Sequence, residues 1–140
     1  SLSRIVDVEV KVNDDPCMHY RADGVIISTP TGSTAYSLSA GAPMIDPSIE
    51  GILITPICAH SFSTVPIFLD SKSEVCVNAQ GRNDSEVYLT IDGEKSIKLR
   101  KDSVVIARKA TEFKADLIKI KSDNFVQVLN RKMIGRSDNR

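Results

Sequence analysis

The chain begins with a strict alternation of apolar and charged residues. Between Arg4 and Val12, valines at every second position from Val6 onward are separated by Asp7, Glu9 and Lys11. A period of two is typical of a β-strand with one buried face, so the segment predicts such a strand. Polar residues and a proline occupy positions 13–16 and predict a turn that ends it.

Two continuous apolar runs follow. Val25 to Thr29 and Ile52 to Ile57 predict strands that are buried on both faces. Pro30 is expected to end the first strand. Pro56 is expected to end or bulge the second, because proline cannot donate to a strand ladder.

From residue 66 onward, short strand patterns succeed one another. Positions 81–84 predict one turn, and Asp92-Gly93 is a favoured hairpin signal. Short strands at this spacing favour an antiparallel sandwich over a parallel sheet. The predicted strands are Pro66 to Leu69, Glu74 to Asn78, Glu86 to Ile91, Ser96 to Leu99, Ser103 to Ala107 and Leu117 to Lys121.

Two helices interrupt the strands. Ser33 to Ala40 predicts a short helix, with Gly41 placed where a left-handed C-cap would lie. Near the end, apolar residues recur at helical spacing after an N-cap candidate, Ser122 or Asp123, and residues 136–140 are expected to be frayed. The helical positions are Phe125, Val128, Leu129 and Met133.

These elements together predict one domain over residues 1–140. Its fold class is mainly β: an antiparallel β-sandwich-like domain with one short helix after the turn at residues 30–32 and one C-terminal helix. A hydrophobic content of 41% and a formal net charge of zero exclude an intrinsically disordered chain. The apolar runs are far shorter than the ~20 residues that a membrane-spanning helix needs.

The balanced charge conceals an asymmetry along the chain. Residues 1–94 carry 5 basic and 13 acidic side chains, and residues 95–140 carry 13 basic and 5 acidic ones. Because the basic residues alternate with apolar ones and no aromatic residues interleave them, we interpret them as solvated strand faces and not as a nucleic-acid surface. The 3 cysteines and 2 histidines have no zinc-site spacing, which predicts reduced thiols in a cytosolic protein without a bound metal.

Hydroxyl groups are concentrated after the first apolar run. Seven of the twelve residues from Ser28 to Ser39 are Ser or Thr, and Tyr36 adds an eighth hydroxyl. A strand that enters a Pro/Gly turn and then a helix suits a polar or anionic ligand such as a nucleotide. No Lys follows Gly32, so the turn is not a phosphate-binding P-loop, and the nucleophile-elbow pattern is also missing. On these residues alone, a capped helix start and a ligand site both remain open.

The same residues carry a family resemblance. Asp23-Gly24, followed by the segment from Ser28 to Gly41, resembles the signature of NAD kinases. Leu53 to Ser61 resembles the second block of that family. The opening from Leu2 to Val10 and the tail from Val128 to Met133 are also similar, so the resemblance covers nearly the whole chain.

The resemblance implies a two-domain cytosolic enzyme that transfers a phosphoryl group from ATP, or in some members polyphosphate, to the adenosine 2′-hydroxyl of NAD. A divalent metal such as Mg²⁺ accompanies ATP. The family's Gly-Gly-Asp-Gly-Thr motif, with the catalytic aspartate, and its Asn-Glu pair do not occur in this sequence. The chain is therefore expected to be the C-terminal domain, with no catalytic residue and no metal ligand. Assembly as a homodimer or homotetramer is implied, without a nucleic-acid or membrane partner.

The resemblance also implies which residues bind NAD. Cys58 would act through its backbone carbonyl, and Thr31 with Gly32 would shape the turn. Val65 occupies a position that Arg often holds in the family, and Glu94 lies near a position that Gln often holds. The loss of a cation and the gain of an anion would both weaken the attraction for a phosphate. The implied NAD-binding residues are Arg21, Asp23, Thr31, Thr34, Ala35, Tyr36, Ser37, Leu38, Ser39, Cys58 and Glu94.

Two alternative functions are weighed against this one. The first is a lipid kinase of the diacylglycerol or sphingosine type, which shares the two-domain plan. The polar run from Thr29 to Tyr36 argues against it, because such enzymes need an apolar groove for an acyl chain. The second is a non-catalytic module that binds an anion or a nucleic acid through residues 95–140.

Overall fold

A computed structural model of the chain describes residues 5–61, 64–116, 118, 120 and 122–134. These residues fall into two compact units, one within residues 1–109 and the other within residues 110–140. Each unit is described by itself below. The assignment of residues 1–140 to a single domain stays a prediction.

Antiparallel strands make up most of the regular secondary structure of the first unit. They form a four-stranded sheet in the order β2-β1-β6-β9, a three-stranded sheet in the order β3-β4-β5 and a β7-β8 hairpin. This arrangement confirms the mainly-β, antiparallel prediction. The strands are β1 (Val6–Val12), β2 (Asp15–Ala22), β3 (Gly24–Ser28), β4 (Gly51–Ile57), β5 (Ile67–Asp70), β6 (Val75–Gly81), β7 (Val87–Ile91), β8 (Lys95–Leu99) and β9 (Val104–Ala107).

The core of this unit lies between its two larger sheets. Side chains from β1, β2 and β6 of the four-stranded sheet form one buried cluster with side chains from β4 of the three-stranded sheet. Burying aliphatic side chains of this size contributes roughly 1.5–3 kcal/mol each, so this cluster is the main source of stability of the unit. The members are Val6, Val8, Val10, Tyr20, Ala22, Ile52, Ile54, Val75 and Val77.

Strand β2 is absent from the sequence-based prediction. The turn at positions 13–16 is shorter than expected, since only Asn13 and Asp14 form it, with left-handed φ values of 50° and 68°. Val12 already pairs with Asp15, so Pro16 lies inside β2. The sheet tolerates this proline because β2 is an edge strand, where one side of the backbone makes no ladder hydrogen bonds.

Each of the two apolar runs departs from its prediction in one respect. Strand β3 is less buried than expected, and Pro56 disturbs β4 less than expected. All five residues of β3 are half-buried and not fully buried, because β3 lies at the edge of its sheet. In the central strand β4, Pro56 neither ends nor bulges the strand and lies opposite Val25. The neighbouring strand β5 pairs with β4 only up to Ile54, so the missing donor of Pro56 interrupts no hydrogen bond on that side.

The helix predicted from Ser33 to Ala40 is divided into two short segments. A 3-10 helix spans Thr31–Thr34 and α1 spans Tyr36–Ser39. Ala35 separates them because its ψ of −130° is not helical. Gly41 ends the helix with a φ of 92°, as expected, and Ala42 N donates to Ser37 O at 3.0 Å, which completes a Schellman cap.

The predicted hairpin turn is present between β7 and β8. Asp92 and Gly93 adopt left-handed φ values of 51° and 73°. Ile91 pairs with Lys95, so the connection contains three residues and not two. The turn prediction is therefore confirmed with a loop that is one residue longer.

The second unit contains α2 (Phe125–Leu129), which continues as a π-helical turn over Asn130–Ile134. Its N-cap is Asn124, not Ser122 or Asp123, because Asn124 and Gln127 exchange two hydrogen bonds of 2.9 Å. In the described part of the chain, no helix is long and apolar enough to cross a bilayer. Of the strand predicted from Leu117 to Lys121, residues 117, 119 and 121 lie outside the described residues, as do residues 136–140.

Tyr20 generates a prediction about stability. Its side chain is 4% exposed, and its buried hydroxyl finds no hydrogen-bond partner in the described residues. Burial raises the pKa of Tyr20 above its usual value. The folded state therefore keeps a proton that the unfolded state releases above pH ~10, so the stability from this group is complete below that pH and is lost as the pH rises.

We expect Tyr20→Phe to raise the free energy of unfolding by about 1 kcal/mol at pH 7, because the unpaired hydroxyl is removed. Urea unfolding at pH 7 and pH 11 measures this change. The variant is also expected to lose less stability than the wild type between these pH values, by up to ~1.4 kcal/mol per pH unit above pH 10. Tyr36→Phe, which alters an exposed tyrosine, is the control, and a destabilised Tyr20→Phe would contradict the prediction.

Candidate functional site

The hydroxyl-rich segment forms an elbow, residues 29–41, between β3 and the segment that precedes β4. Two of its serines are buried and hold it in place. Ser33 is 0% exposed, and its Oγ donates to Pro30 O at 2.6 Å and accepts from Ile45 N at 3.0 Å. Ser37 is 1% exposed, and its Oγ lies 3.2 Å from Ser28 Oγ. These hydroxyls fasten the elbow to the strand before it and to the chain after it.

Other residues of the elbow point outward. Thr34 and Ser39 are exposed, and Tyr36 is 61% exposed. The Thr34 hydroxyl donates to Thr31 O at 3.2 Å. Leu38 is half-buried. The structure therefore divides the predicted binding residues of the elbow into an outward group and a scaffold group. The outward group is Thr31, Thr34, Ala35, Tyr36 and Ser39.

The Ser37 hydroxyl lies on the scaffold side of this division. Its hydrogen bond with Ser28 uses the group that would otherwise contact a ligand. The shared structural role of Ser33 and Ser37 was not predicted from the sequence. The spacing of four residues, which places both on one side of a helical segment, is the signal that could have found it.

A second group of predicted residues lies at the other end of β3. The backbone carbonyl of Arg21 accepts a hydrogen bond from His60 N at 2.8 Å, and the backbone N–H of Asp23 donates one to Ile57 O at 2.9 Å. These bonds place residues 21–23 beside residues 57–60. Cys58 is exposed there and adopts a left-handed φ of 48°. Arg21, Asp23 and Cys58 form what we call the β2–β3 cluster.

The elbow and the β2–β3 cluster are separated by the length of a strand. Asp23 precedes the five-residue strand β3, and the elbow follows it. At about 3.3 Å per residue, the two groups lie roughly 20 Å apart along β3. Glu94 is carried by a third element, the exposed turn of the β7–β8 hairpin. The structure therefore brings most predicted site residues into two groups and not into one.

A negatively charged residue that sequence analysis did not single out accompanies Arg21. Asp7 on β1 lies opposite Arg21 on β2, and Arg21 Nε donates to Asp7 Oδ1 at 3.2 Å. Arg82 Nε lies 4.0 Å from the other oxygen of the same carboxylate. The alternation of β1 puts Asp7 on the outer face, but its partner could not be found while β2 was unrecognised.

Two further features bear on binding. A surface depression of about 340 Å³ is lined by five residues of β1 and β2, none of which is a predicted binding residue. Among the described residues, no group of three or more His, Cys, Asp or Glu side chains could hold a metal ion. The residues that line the depression are Glu9, Pro16, Cys17, Met18 and His19.

Comparison with known proteins identifies the family. A family model described as the ATP-NAD kinase C-terminal domain matches residues 1–120. The chain belongs to this family. The match confirms the resemblance that was based on the elbow sequence and on the block from Leu53 to Ser61.

Individual relatives agree with this family. The NAD kinase of Geobacter sulfurreducens is 44% identical over 95% of this chain and 46% of its own length. The NAD kinase of Clostridium perfringens is 42% identical over 95% of this chain and 48% of its own length. This ATP-NAD kinase C-terminal domain therefore spans about half the length of the relatives it matches.

Solved structures of an NAD kinase and an NADH kinase share the fold. An NAD kinase from Archaeoglobus fulgidus in complex with ATP superposes with a TM-score of 0.76 at 26% identity, over 99% of this chain and 50% of that chain. Yeast NADH kinase complexed with NADH gives a TM-score of 0.69 at 25% identity, over 94% of this chain and 40% of that chain. These likenesses confirm the fold class predicted from the strand pattern.

The role of Ser33 in holding the elbow can be tested by mutation. Ser33→Ala leaves Pro30 O and Ile45 N without the buried hydroxyl that both contact. Because unsatisfied buried polar groups are costly, we expect a loss of about 2–3 kcal/mol in the free energy of unfolding, measured by urea denaturation. Ser39→Ala, which removes an exposed hydroxyl from the same elbow, is expected to change it by less than about 0.5 kcal/mol. Equal effects of the two substitutions would contradict the prediction.

Proposed function

We propose that this chain is the dinucleotide-binding domain of an NAD kinase, an enzyme that transfers a phosphoryl group from ATP, or polyphosphate, to the adenosine 2′-hydroxyl of NAD. The observation that carries the proposal is the division within the elbow. Buried hydroxyls hold its backbone, while Thr34, Tyr36 and Ser39 face outward with groups suited to a nucleotide. The membership of the family and the names of the relatives support the same activity.

The outward residues of the elbow have complementary roles in this proposal. The Tyr36 ring offers a flat apolar face on which a base can stack. The Ser39 hydroxyl can donate to and accept from the ribose or the base edge, and the Thr34 hydroxyl, whose proton goes to Thr31 O at 3.2 Å, can accept. Ala35 and Leu38 add apolar contact. Thr31 shapes the turn that presents them. Ser37 contributes through its position in the scaffold.

The β2–β3 cluster supplies the charged groups. The Asp23 carboxylate accepts hydrogen bonds from an amide or amino group of the dinucleotide, and the Arg21 guanidinium donates to an acceptor on it. Cys58 contributes its backbone carbonyl, so its thiol is incidental to binding. Glu94 on the hairpin turn adds a negative charge that weakens the attraction for a phosphate.

The contribution of this domain to the reaction is positioning. Phosphoryl transfer demands an acceptor hydroxyl that is held in line with the γ-phosphate, and most of the catalytic effect comes from that placement and from charge neutralisation. The described residues hold no cluster that fits a metal ion. Because the Gly-Gly-Asp-Gly-Thr motif that carries the catalytic aspartate of the family does not occur in this sequence, we assign the catalytic base, and the Mg²⁺ that accompanies ATP, to another part of the full-length enzyme.

We further propose that the binding site is shared between copies of the domain in a homodimer or homotetramer. The separation of roughly 20 Å between the elbow and the β2–β3 cluster supports this proposal, because an exposed elbow needs a second wall to enclose a ligand.

The reduced cysteines fit a cytoplasmic enzyme, since Cys17, Cys58 and Cys76 are all free.

The first test compares the domain with the full-length protein that contains it. The isolated 140-residue chain is expected to form no NADP from NAD and ATP, whereas the full-length protein forms it. In the full-length protein, Tyr36→Ala is expected to raise KM for NAD about tenfold, because stacking on one base contributes ~1–3 kcal/mol. Steady-state kinetics with detection of NADP measure both.

Tyr88→Ala is the matched control for this test. Tyr88 is 53% exposed, compared with 61% for Tyr36, and lies on the β7–β8 hairpin away from the elbow sequence. The KM of the Tyr88→Ala variant for NAD is expected to equal that of the wild type. NADP formation by the isolated chain would contradict the proposed division of roles. Phosphorylation of diacylglycerol or sphingosine, but not of NAD, would indicate the lipid kinase alternative.

The shared site can be tested by complementation. Asp23→Ala and Tyr36→Ala weaken the two different groups, so each variant alone is expected to have low activity at NAD concentrations well below its raised KM. Co-expressed and purified together, they are expected to recover part of the wild-type activity if one ligand contacts the elbow of one copy and the β2–β3 cluster of another. A mixture of Arg21→Ala and Asp23→Ala, which alter the same group, is the control without recovery. A monomeric active enzyme, as seen by light scattering, would contradict the prediction.

A further inference from the structure

A carboxylate that the proposed binding scheme does not use lies beside Arg21. Asp7 and Arg21 are directly opposed across the antiparallel pair β1–β2. Because Val6 and Val8 face the core, Asp7 faces the opposite side of the sheet, where the Arg21 side chain also lies. Arg21 Nε donates to Asp7 Oδ1 at 3.2 Å, and Arg82 Nε lies 4.0 Å from Asp7 Oδ2. One carboxylate therefore faces two guanidinium groups.

The atom that Asp7 contacts determines what the arginine can still do. A guanidinium group is planar, so a hydrogen bond at Nε restricts the orientation of the whole plane. The two terminal amino groups of Arg21 then keep their N–H donors for another acceptor. A bond at Nε thus orients the side chain without consuming the donors that recognise a phosphate or a carbonyl.

The orientation of the Arg21 side chain depends on this contact. The Arg21 backbone is held by His60 N, which donates to Arg21 O at 2.8 Å. The side chain is 59% exposed, so packing restricts it little. A long exposed side chain loses considerable rotamer freedom when it binds a ligand, and a partner that restricts it beforehand reduces that loss.

We propose that Asp7 is a positioning residue that orients Arg21 toward the dinucleotide. This inference rests on the proposed function, in which Arg21 is a binding residue. Because exposed ion pairs contribute little to stability, Asp7 acts on ligand binding more than on folding. The Asp7–Arg21 pair is neutral, and Arg82, the second cation on the Asp7 carboxylate, gives the three side chains a net charge of +1, which does not repel a phosphate.

The test uses Asp7→Ala in the full-length protein. We expect KM for NAD to rise about fivefold while kcat changes by less than about twofold, because the arginine must be ordered when NAD binds. The melting temperature is expected to change by less than about 2 °C. Glu9→Ala is the matched control, since Glu9 is the next outward residue on β1 and forms a similar exposed ion pair, with Lys11 at 3.9 Å. Its KM is expected to equal that of the wild type.

A double mutant separates positioning from a direct or structural role. If Asp7 acts through Arg21, Asp7→Ala has no further effect on KM in a protein that already carries Arg21→Ala. An additional rise in KM in that background, or a fall in melting temperature that parallels the rise in KM, overturns the inference. So does an unchanged KM in Asp7→Ala.

The same experiments distinguish this inference from the proposed function. A wild-type full-length protein that neither phosphorylates NAD nor binds it in a calorimetric titration overturns the proposed function and this inference with it. An active wild type with a raised KM in Arg21→Ala and an unchanged KM in Asp7→Ala overturns this inference alone.

Discussion

The geometry of the elbow depends on hydrogen bonds from buried side chains and not on helix stability. A four-residue helix such as α1 gains too little from its own backbone bonds to persist in isolation. Ser33 supplies the missing constraint by bonding both Pro30 O and Ile45 N, and Ser37 adds a contact to Ser28 on β3. Because these hydroxyls are satisfied inside, the exposed hydroxyls and the Tyr36 ring beside them are held outward on a fixed backbone.

The sandwich positions the second group of predicted binding residues by backbone bonding. The central strand β4 is buried, and the bonds from Asp23 N to Ile57 O and from His60 N to Arg21 O tie the end of β2 to the end of β4. The Arg21 side chain on this anchored backbone is exposed, so packing leaves its torsions free to rotate. The hydrogen bond from Arg21 to Asp7 restricts them. In this domain, the strands thus hold the backbone of residues 21–23 in place, and a hydrogen bond restricts the Arg21 side chain.

Particular residues show why part of the architecture was predictable. The alternation of valines in β1 and the Asp92-Gly93 turn depend on local conformational preferences, and both were found. Strand β2 was missed because Pro16 is acceptable only on an edge strand, and the edge is a property of the whole sheet. Pro56 was misjudged for the same reason, since its tolerance depends on where β5 stops pairing. The cap at Asn124 was missed because a reciprocal bond with Gln127 decided among neighbouring candidates.

The amino-acid sequence by itself determined the strand-rich fold class, the hydroxyl-rich elbow and the family, because periodicity, turn residues and a long motif are local in the chain. Only the tertiary structure decided which hydroxyls face inward, that residues 21–23 lie beside residues 57–60, and that Asp7 meets Arg21. Burial and cross-strand register depend on residues far apart in sequence. Whether a hydroxyl is buried and holds the backbone, or is exposed and can contact a ligand, is therefore decided only when distant strands pair around it.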